Sequence, residues 1–276
     1  MKLDVSPAYG DALYLMLGAL GIFLVVFVVY LWRVGWGRKG PGQSFTLRPM
    51  PAYDAAREGL SLASETGRAL HASPGTGGVR AGGVGTAATL AGMTVVESMA
   101  RASAITGAPV QATTNDAVAY ALAENAIRRG YQRAGWSMED DSGGARLVTH
   151  EDSVAYVAGA AEVVAQQKAS HAVTVGQFPP EVLFLLEAQR RVGANQIAGA
   201  SDAQGAALMF LAADQTLVGE EIFASGAYLE HRQSHIASLL TQDWLRWIVI
   251  LAIIAGFVVA NILGQDPRAW FGGSYP

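Results

Sequence analysis

VQATTNDAVAYALAENAIRRGYQRA, Val110 to Ala134, decides the fold class. Val110–Thr113 is a short β-type run, and Asn115–Ala134 carries the alanine-rich pattern of a helix. Where they meet, Thr114, Asn115 and Asp116 are polar residues of the kind that start helices. The unit recurs on both sides. Upstream, a helix opens at Pro51 and stops at Gly67, Ala69–Ser73 reads as a strand, and a helix follows over Thr86–Thr106. Downstream, strand-like Arg146–Thr149, Ala172–Val175 and Gln196–Ala200 alternate with helical Ser153–Ala169 and Pro180–Val192. Short strands alternating with longer helices are the signature of βαβ units and a parallel sheet. The expected fold class is α/β, with a Rossmann-like parallel-sheet domain. The apolar stretch after Ala200 reads as one long helix running toward the C-terminal end of the chain.

Two runs flank this region. Ala12–Trp32 is uncharged over 21 residues, enough at about 1.5 Å per residue to cross a hydrocarbon core of roughly 30 Å. Trp247–Leu263 is shorter, with Trp244, Trp247 and Trp270 at its margins as interfacial anchors. The N-terminal run is too long for a signal peptide and has no small-x-small site after it, so an uncleaved anchor is expected. Charged residues make up only 15% of the chain, against about 25% in soluble domains. Arg33, Arg38, Lys39, Arg232 and Arg246 crowd one side of the two runs, while Lys2 and Arg268 stand on the other. The positive-inside rule then makes the central region cytoplasmic and both termini external. The expected organisation is an outer segment 1–11, a transmembrane helix 12–32, a linker 33–50 and a cytoplasmic α/β domain 51–216. A juxtamembrane helix 217–246, a second transmembrane helix 247–263 and an outer tail 264–276 complete it.

This arrangement resembles an uncharacterised prokaryotic membrane protein family, a domain of unknown function with two transmembrane helices flanking an α/β domain. The residues carrying the resemblance include QATTNDAVAYALAENAIRRGY and the stretch from TVGQFPPEV to GANQIAGASDAQGAALMF. No activity and no catalytic residue follow from it.

Composition excludes several chemistries. The chain has no cysteine, which removes disulfides, thiolate metal sites and cysteine nucleophiles. A net charge of -4 leaves no basic footprint for nucleic acid. Lys168 is the single lysine away from the membrane runs, the others being Lys2 and Lys39. His231 and His235 are spaced i, i+4, but no H-E-x-x-H occurs and no third ligand is evident, so no metal is expected. His150 beside Glu151 and Asp152 lacks an accompanying G-x-S-x-G nucleophile. Whether the protein is an enzyme stays open, and no cofactor is named.

The most distinctive soluble feature is the glycine loop PGTGGVRAGGVG, Pro74 to Gly85. Glycines let backbone N–H groups approach a phosphate, and a helix N-terminus adds a favourable dipole. Gly83-Val-Gly-Thr-Ala-Ala88 matches G-x-G-x-x-A, although nine residues (Pro74–Gly82) separate it from the preceding strand and Asp116 comes 31 positions after Gly85. No Walker Gly-Lys-Ser/Thr is present. In a parallel sheet the carboxyl ends of the strands also carry Asn115, Asp116, Ser201 and Asp202. The candidate ligand-binding residues are therefore Gly75, Gly77, Gly78, Gly83, Gly85, Asn115, Asp116, Ser201 and Asp202. Each polar member could equally be a helix cap.

Two functions compete. One is a non-catalytic scaffold or assembly component. The other is a membrane-anchored sensor or enzyme that binds a nucleotide or phosphorylated ligand at the loop. The expected partners are the lipid bilayer and a second copy of the chain, met through the small-residue stripe Ala252, Gly256 and Ala260. Pairing of the two spans within one chain is the other use for that stripe.

Overall fold

The computed structural model describes residues 7–37, 47–79, 83–137, 143–149 and 152–262. The chain forms two compact units, 1–46 with 232–276, and 47–231.

The first unit holds two long helices, α1 (Pro7–Gly37) and α9 (Gln233–Ile262), which pack along each other. Both are long and apolar enough to cross a membrane, with mean hydropathies of 2.1 over Met16–Arg33 and 1.5 over Gln233–Val258. A side chain added at Gly18, Gly21 or Gly256 would meet nothing within 4 Å.

The second unit is an α/β domain. Its elements run α2 (Pro51–Thr66), β1 (Leu70–Ser73), α3 (Val84–Thr106), β2 (Val110–Thr114), α4 (Ala117–Ala134), β3 (Gly143–Leu147) and α5 (Ser153–Gln167). Then come β4 (His171–Gly176), α6 (Val182–Arg191), β5 (Asn195–Ala200), α7 (Ala203–Ala212), β6 (Gln215–Val218), a 3-10 turn (Gly219–Ala224) and α8 (Ser225–Tyr228). The six strands are all parallel, in the order β3-β2-β1-β4-β5-β6. β1, β2 and β4 are buried along their whole length, as expected of a parallel sheet covered on both faces.

Side-chain alternation assigns the faces. His71, Ser73 and Thr113 turn toward Tyr156 of α5, and Thr174 meets Gln189 of α6. The intervening residues face α2 and α3. His171 packs against Gly59 of α2, and Gly92 of α3 lies on the Val175 carbonyl. The α5–α7 face is cored by Tyr156, Val164, Leu185, Leu186 and Met209 with Ala198 and Ala200 of β5. On the other face, α3 and α4 approach closely because alanine and glycine line the contact. A Cβ on Gly130 would lie 2.6 Å from the Glu97 carbonyl oxygen.

The long helix expected after Ala200 is replaced by α7, a sixth strand, the 3-10 turn and α8. Leu217 lies in β6, so no continuous juxtamembrane helix spans 217–246, and α9 begins at Gln233. His231 sits in the break before α9 with φ 50°, so His231 and His235 do not share one helix. The segment leading into α9 is held by its neighbours. Arg57 donates to the Tyr228 carbonyl and contacts His231 Nε2 at 3.1 Å, and Tyr53 stacks on Tyr228. Arg133 bridges the buried carboxylates of Glu97 and Glu230.

Candidate functional site

The chain winds outward from β1 through β2 to β3, then crosses back to β4 and winds outward through β5 to β6. The carboxyl ends of β1 and β4 stand side by side at this reversal. The glycine loop emerges there. Pro74 and Gly75 follow β1 directly, so the first glycines stand at the strand end and only the later G-x-G is displaced from it.

Backbone crowding explains the glycines. A Cβ on Gly75 would lie 2.7 Å from the Gln177 amide nitrogen, and one on Gly176 would lie 2.2 Å from the Pro74 carbonyl oxygen. Such distances require a missing side chain, and Gly75 also has φ 95°. The loop then folds over the end of β4: the Thr76 N–H donates to the Gln177 carbonyl at 2.8 Å, and its hydroxyl donates to the same oxygen at 3.1 Å. Gly77 approaches the Gly85 carbonyl, which a Cβ on Gly77 would meet at 2.9 Å. Gln177 Oε1 occupies the space where a Gly85 side chain would be, 2.4 Å from that Cβ position. Gly83 is the N-cap of α3, with φ 113° and no side-chain cap. The first turn of α3 thus starts at the end of the glycine loop without a capping side chain at Gly83. Val79 ends the described part of the loop, and Arg80, Ala81 and Gly82 lie outside the described residues.

The end of β2 closes the other side. Asn115 is 4% exposed. Its Nδ2 donates to the Thr76 carbonyl at 3.4 Å, and its Oδ1 is buried with no hydrogen-bond donor. Asp116 caps α4 by accepting the Ala119 N–H at 2.9 Å, and its carboxyl carbon lies 3.7 Å from a Cβ position on Gly78. Asn115 and Asp116 therefore border the loop.

Ser201 and Asp202 stand elsewhere. They follow β5, which β4 separates from β1. Asp202 caps α7 through the Gly205 N–H at 2.8 Å, and Asp152 caps α5 in the same way. His150, Glu151 and the acidic residues Glu139, Asp140 and Asp141 lie outside the described residues. Lys168 is the C-cap of α5 in the left-handed region, φ 48°. Among the described residues no group of three or more His, Asp or Glu could hold a metal.

Sequence reasoning overlooked two supports of these strand ends. Gly92 lets α3 lie directly on the sheet, with a Cβ there 2.6 Å from Pro74 Cα and 2.5 Å from the Val175 carbonyl oxygen. A glycine retained inside an alanine-rich helix, at a cost of about 1 kcal/mol, was the available signal. Tyr156 was the other. Its hydroxyl joins Ser73 Oγ, Thr113 Oγ1 and the Thr113 carbonyl, so it ties the ends of β1 and β2 together beneath the loop. No sequence pattern marks it.

No curated protein and no solved structure matches the chain. The family model of a domain of unknown function (DUF6754) matches residues 12–271, and the chain belongs to that family.

Proposed function

We propose that this protein is a membrane-anchored, Rossmann-like ligand-binding module that takes a phosphorylated ligand, of nucleotide type, at the glycine loop. One observation carries the reading: a glycine loop that leads from β1 into α3 lies at the switch point of a sheet ordered 3-2-1-4-5-6. That order is the one found in doubly wound dinucleotide-binding sheets, and their ligands sit at that switch point. The N-terminus of α3 supplies a positive dipole end for phosphate oxygens, and Gly83 at its N-cap carries no side chain to block their approach. The 31-residue interval from Gly85 to Asp116 is taken up by an α3 of 23 residues.

The membrane reading rests on exposure. None of the Met16–Arg33 window and 6% of the Gln233–Val258 window is buried. Leu17, Leu20, Val25, Leu251, Ile253 and Phe257 are all more than half exposed. Each Å² of apolar surface left in water forgoes about 25 cal/mol, and lipid contact removes that penalty. The basic flank led by Arg33 supports a cytoplasmic domain with both termini outside. A periplasm-only reporter active when fused at Gly42 would overturn that orientation. Ala252 is exposed and Gly256 has open space beside it. The stripe they form with Ala260 is therefore proposed to meet a second copy of the chain. A monomer by native mass spectrometry in detergent would exclude this.

The ligand reading is tested by thermal shift on the full chain in detergent, screening nucleotides and sugar phosphates. A bound ligand raises the melting temperature by mass action, and Gly85→Val should abolish that rise. A flat screen would leave the scaffold reading in its place.

A further inference from the structure

We propose that the outer face of α6 and α7 is a contact between two copies of this chain, each seating Phe210 in the α6–α7 groove of the other. The inference is independent of the ligand reading, and it uses a surface apart from the small-residue stripe on α9.

The ten residues of α7 include no charged side chain. Its inner face is spent on the core, where Ala206 and Met209 are buried. Its outer face, made of Ala203, Gln204, Ala207, Phe210 and Leu211, is exposed. A helix that is apolar on every side belongs in a core or in lipid, not with one face in water. The neighbouring helix α6 continues the surface with exposed Leu183 and Phe184. Between the two helices runs a groove whose lining includes Leu183, Phe184, Glu187, Arg190, Leu211 and Ala212. The Arg190 guanidinium donates to the Ala212 carbonyl at 3.0 Å, which ties the two walls of the groove together.

The area suits a protein partner. Phe184, Phe210 and Leu211 are 71%, 69% and 80% exposed, and Leu183 is 38% exposed. With about 200 Å² on each phenylalanine, the four leave on the order of 500 Å² of apolar surface in water. That stands near the top of the roughly 300–600 Å² found for the largest patch on a monomer. With its polar rim it supplies most of the about 800 Å² that each partner gives to a standard interface.

The charges select the occupant. Residues 181–214 carry Arg190 and Arg191 against Glu181, Glu187, Asp202 and Asp214, with no lysine, so two positive charges face four negative ones. Helices that lie on an anionic bilayer surface flank their apolar face with lysine and arginine, and this surface does not. A two-fold partner presents the same patch inverted, so that each residue pair across the contact occurs twice. Glu187 and Arg190 both line the groove, about one helical turn apart. The inversion sets the Glu187 carboxylate of each copy toward the Arg190 guanidinium of the other. Phe210 stands on α7 beside the groove, so each copy has a ring to give and a groove to receive one.

Disulfide trapping on the full chain in detergent tests the contact, and the absence of native cysteine makes single-cysteine variants unambiguous. Ala207→Cys places a thiol at the middle of the outer face of α7. Ile105→Cys places one at the exposed end of α3, on the other side of the sheet, as the control. Under mild oxidation the Ala207→Cys chain is expected to form dimers at least about tenfold faster than the Ile105→Cys chain. Adding Phe184→Arg, at an exposed position that the core does not use, should slow that trapping about tenfold. Adding Gly256→Leu should leave it within about threefold. Equal trapping of the two thiols would overturn the proposal, as would trapping that Gly256→Leu abolishes and Phe184→Arg leaves intact. A bimane label on Leu211→Cys separates lipid from protein as the cover. In nanodiscs holding one copy its emission should be that of a dye in water, shifting to the blue when two copies share a disc. Blue-shifted emission already present with one copy would put lipid on this face and contradict the second copy.

Discussion

The two ends of the parallel sheet are built to opposite rules. At the amino ends of the strands, charged side chains hold helix ends and strand starts, although His171 and Gln196 there keep buried side-chain atoms without a partner. Arg68 donates to the carbonyls of Lys168, Ala169 and Val192, at 2.7, 2.9 and 2.7 Å, so one guanidinium serves the C-terminal ends of both α5 and α6. Asp214 accepts the Gln196 N–H at 2.9 Å where β5 begins. At the carboxyl ends of β1 and β2 the loop is glycine, Gly83 gives α3 no capping side chain, and Asn115 keeps an unpaired oxygen. Satisfied carbonyls and a positive charge near helix C-termini stabilise a fold. An orphan acceptor contributes nothing to folding and suits a site that a ligand completes. The difference separates the residues that hold the domain together from those that would bind.

Acid should strike the framework hardest. Burial lowers His71 to about 4, and it lowers His171 to about 4 despite the opposing charge of Asp214. A folded value below the unfolded one, near 6.5, means that the unfolded chain binds the proton first. The stability contributed by these neutral rings is whole above about pH 6.5 and falls as pH drops toward 4, by about 3 kcal/mol for each histidine. Denaturant melts across that window should show the loss, and a flat profile would contradict two buried neutral rings. Arg68→Met comes next. Losing three charge-assisted bonds to helix-end carbonyls should cost about 2 to 3 kcal/mol, visible as a lower melting temperature with ligand response retained. Tyr156→Phe should be smaller, about 1 to 2 kcal/mol, because it strips the partner from buried Ser73 and Thr113. Since Tyr156 holds Ser73, the last residue of β1 before the loop, this variant should also weaken ligand response, which Arg68→Met should not. Gly85→Val should change stability least, by about 1 kcal/mol, because the new side chain meets chiefly the side chain of exposed Gln177, with the Gly77 carbonyl 3.4 Å from its Cβ. Its effect should be confined to binding. A Gly85→Val protein as unstable as Arg68→Met would erase the distinction between the two ends.

The alternation of elements was legible because most of its helices carry punctuation at a start or an end. Gly67, Gly107 and Gly135 end helices in the left-handed conformation, and Asp116, Asp152 and Asp202 cap the helices that follow. β6 was not legible. Only Ala213 and Asp214 separate it from α7, with no glycine or proline to mark the break, and its four residues hold too little pattern to register. The run from Ala203 therefore read as one helix extending into the second span. Within the candidate site, the glycines announced close backbone approach but not what approached. Only the folded chain brings Gln177 against Gly85 and Asn115 against Thr76, contacts between residues far apart in sequence. The same limit applies to Ser201 and Asp202, whose shared position at strand ends did not reveal that β4 intervenes.

Hydrogen–deuterium exchange on the full chain in detergent, with and without saturating ADP-ribose, tests the central claim most directly. The account predicts slower exchange in peptides covering Gly75–Thr89 and Asn115–Ala119, with the Arg68 end of the sheet unchanged. Unaltered exchange in both segments, or protection confined to other parts of the domain, would contradict a ligand site at the glycine loop.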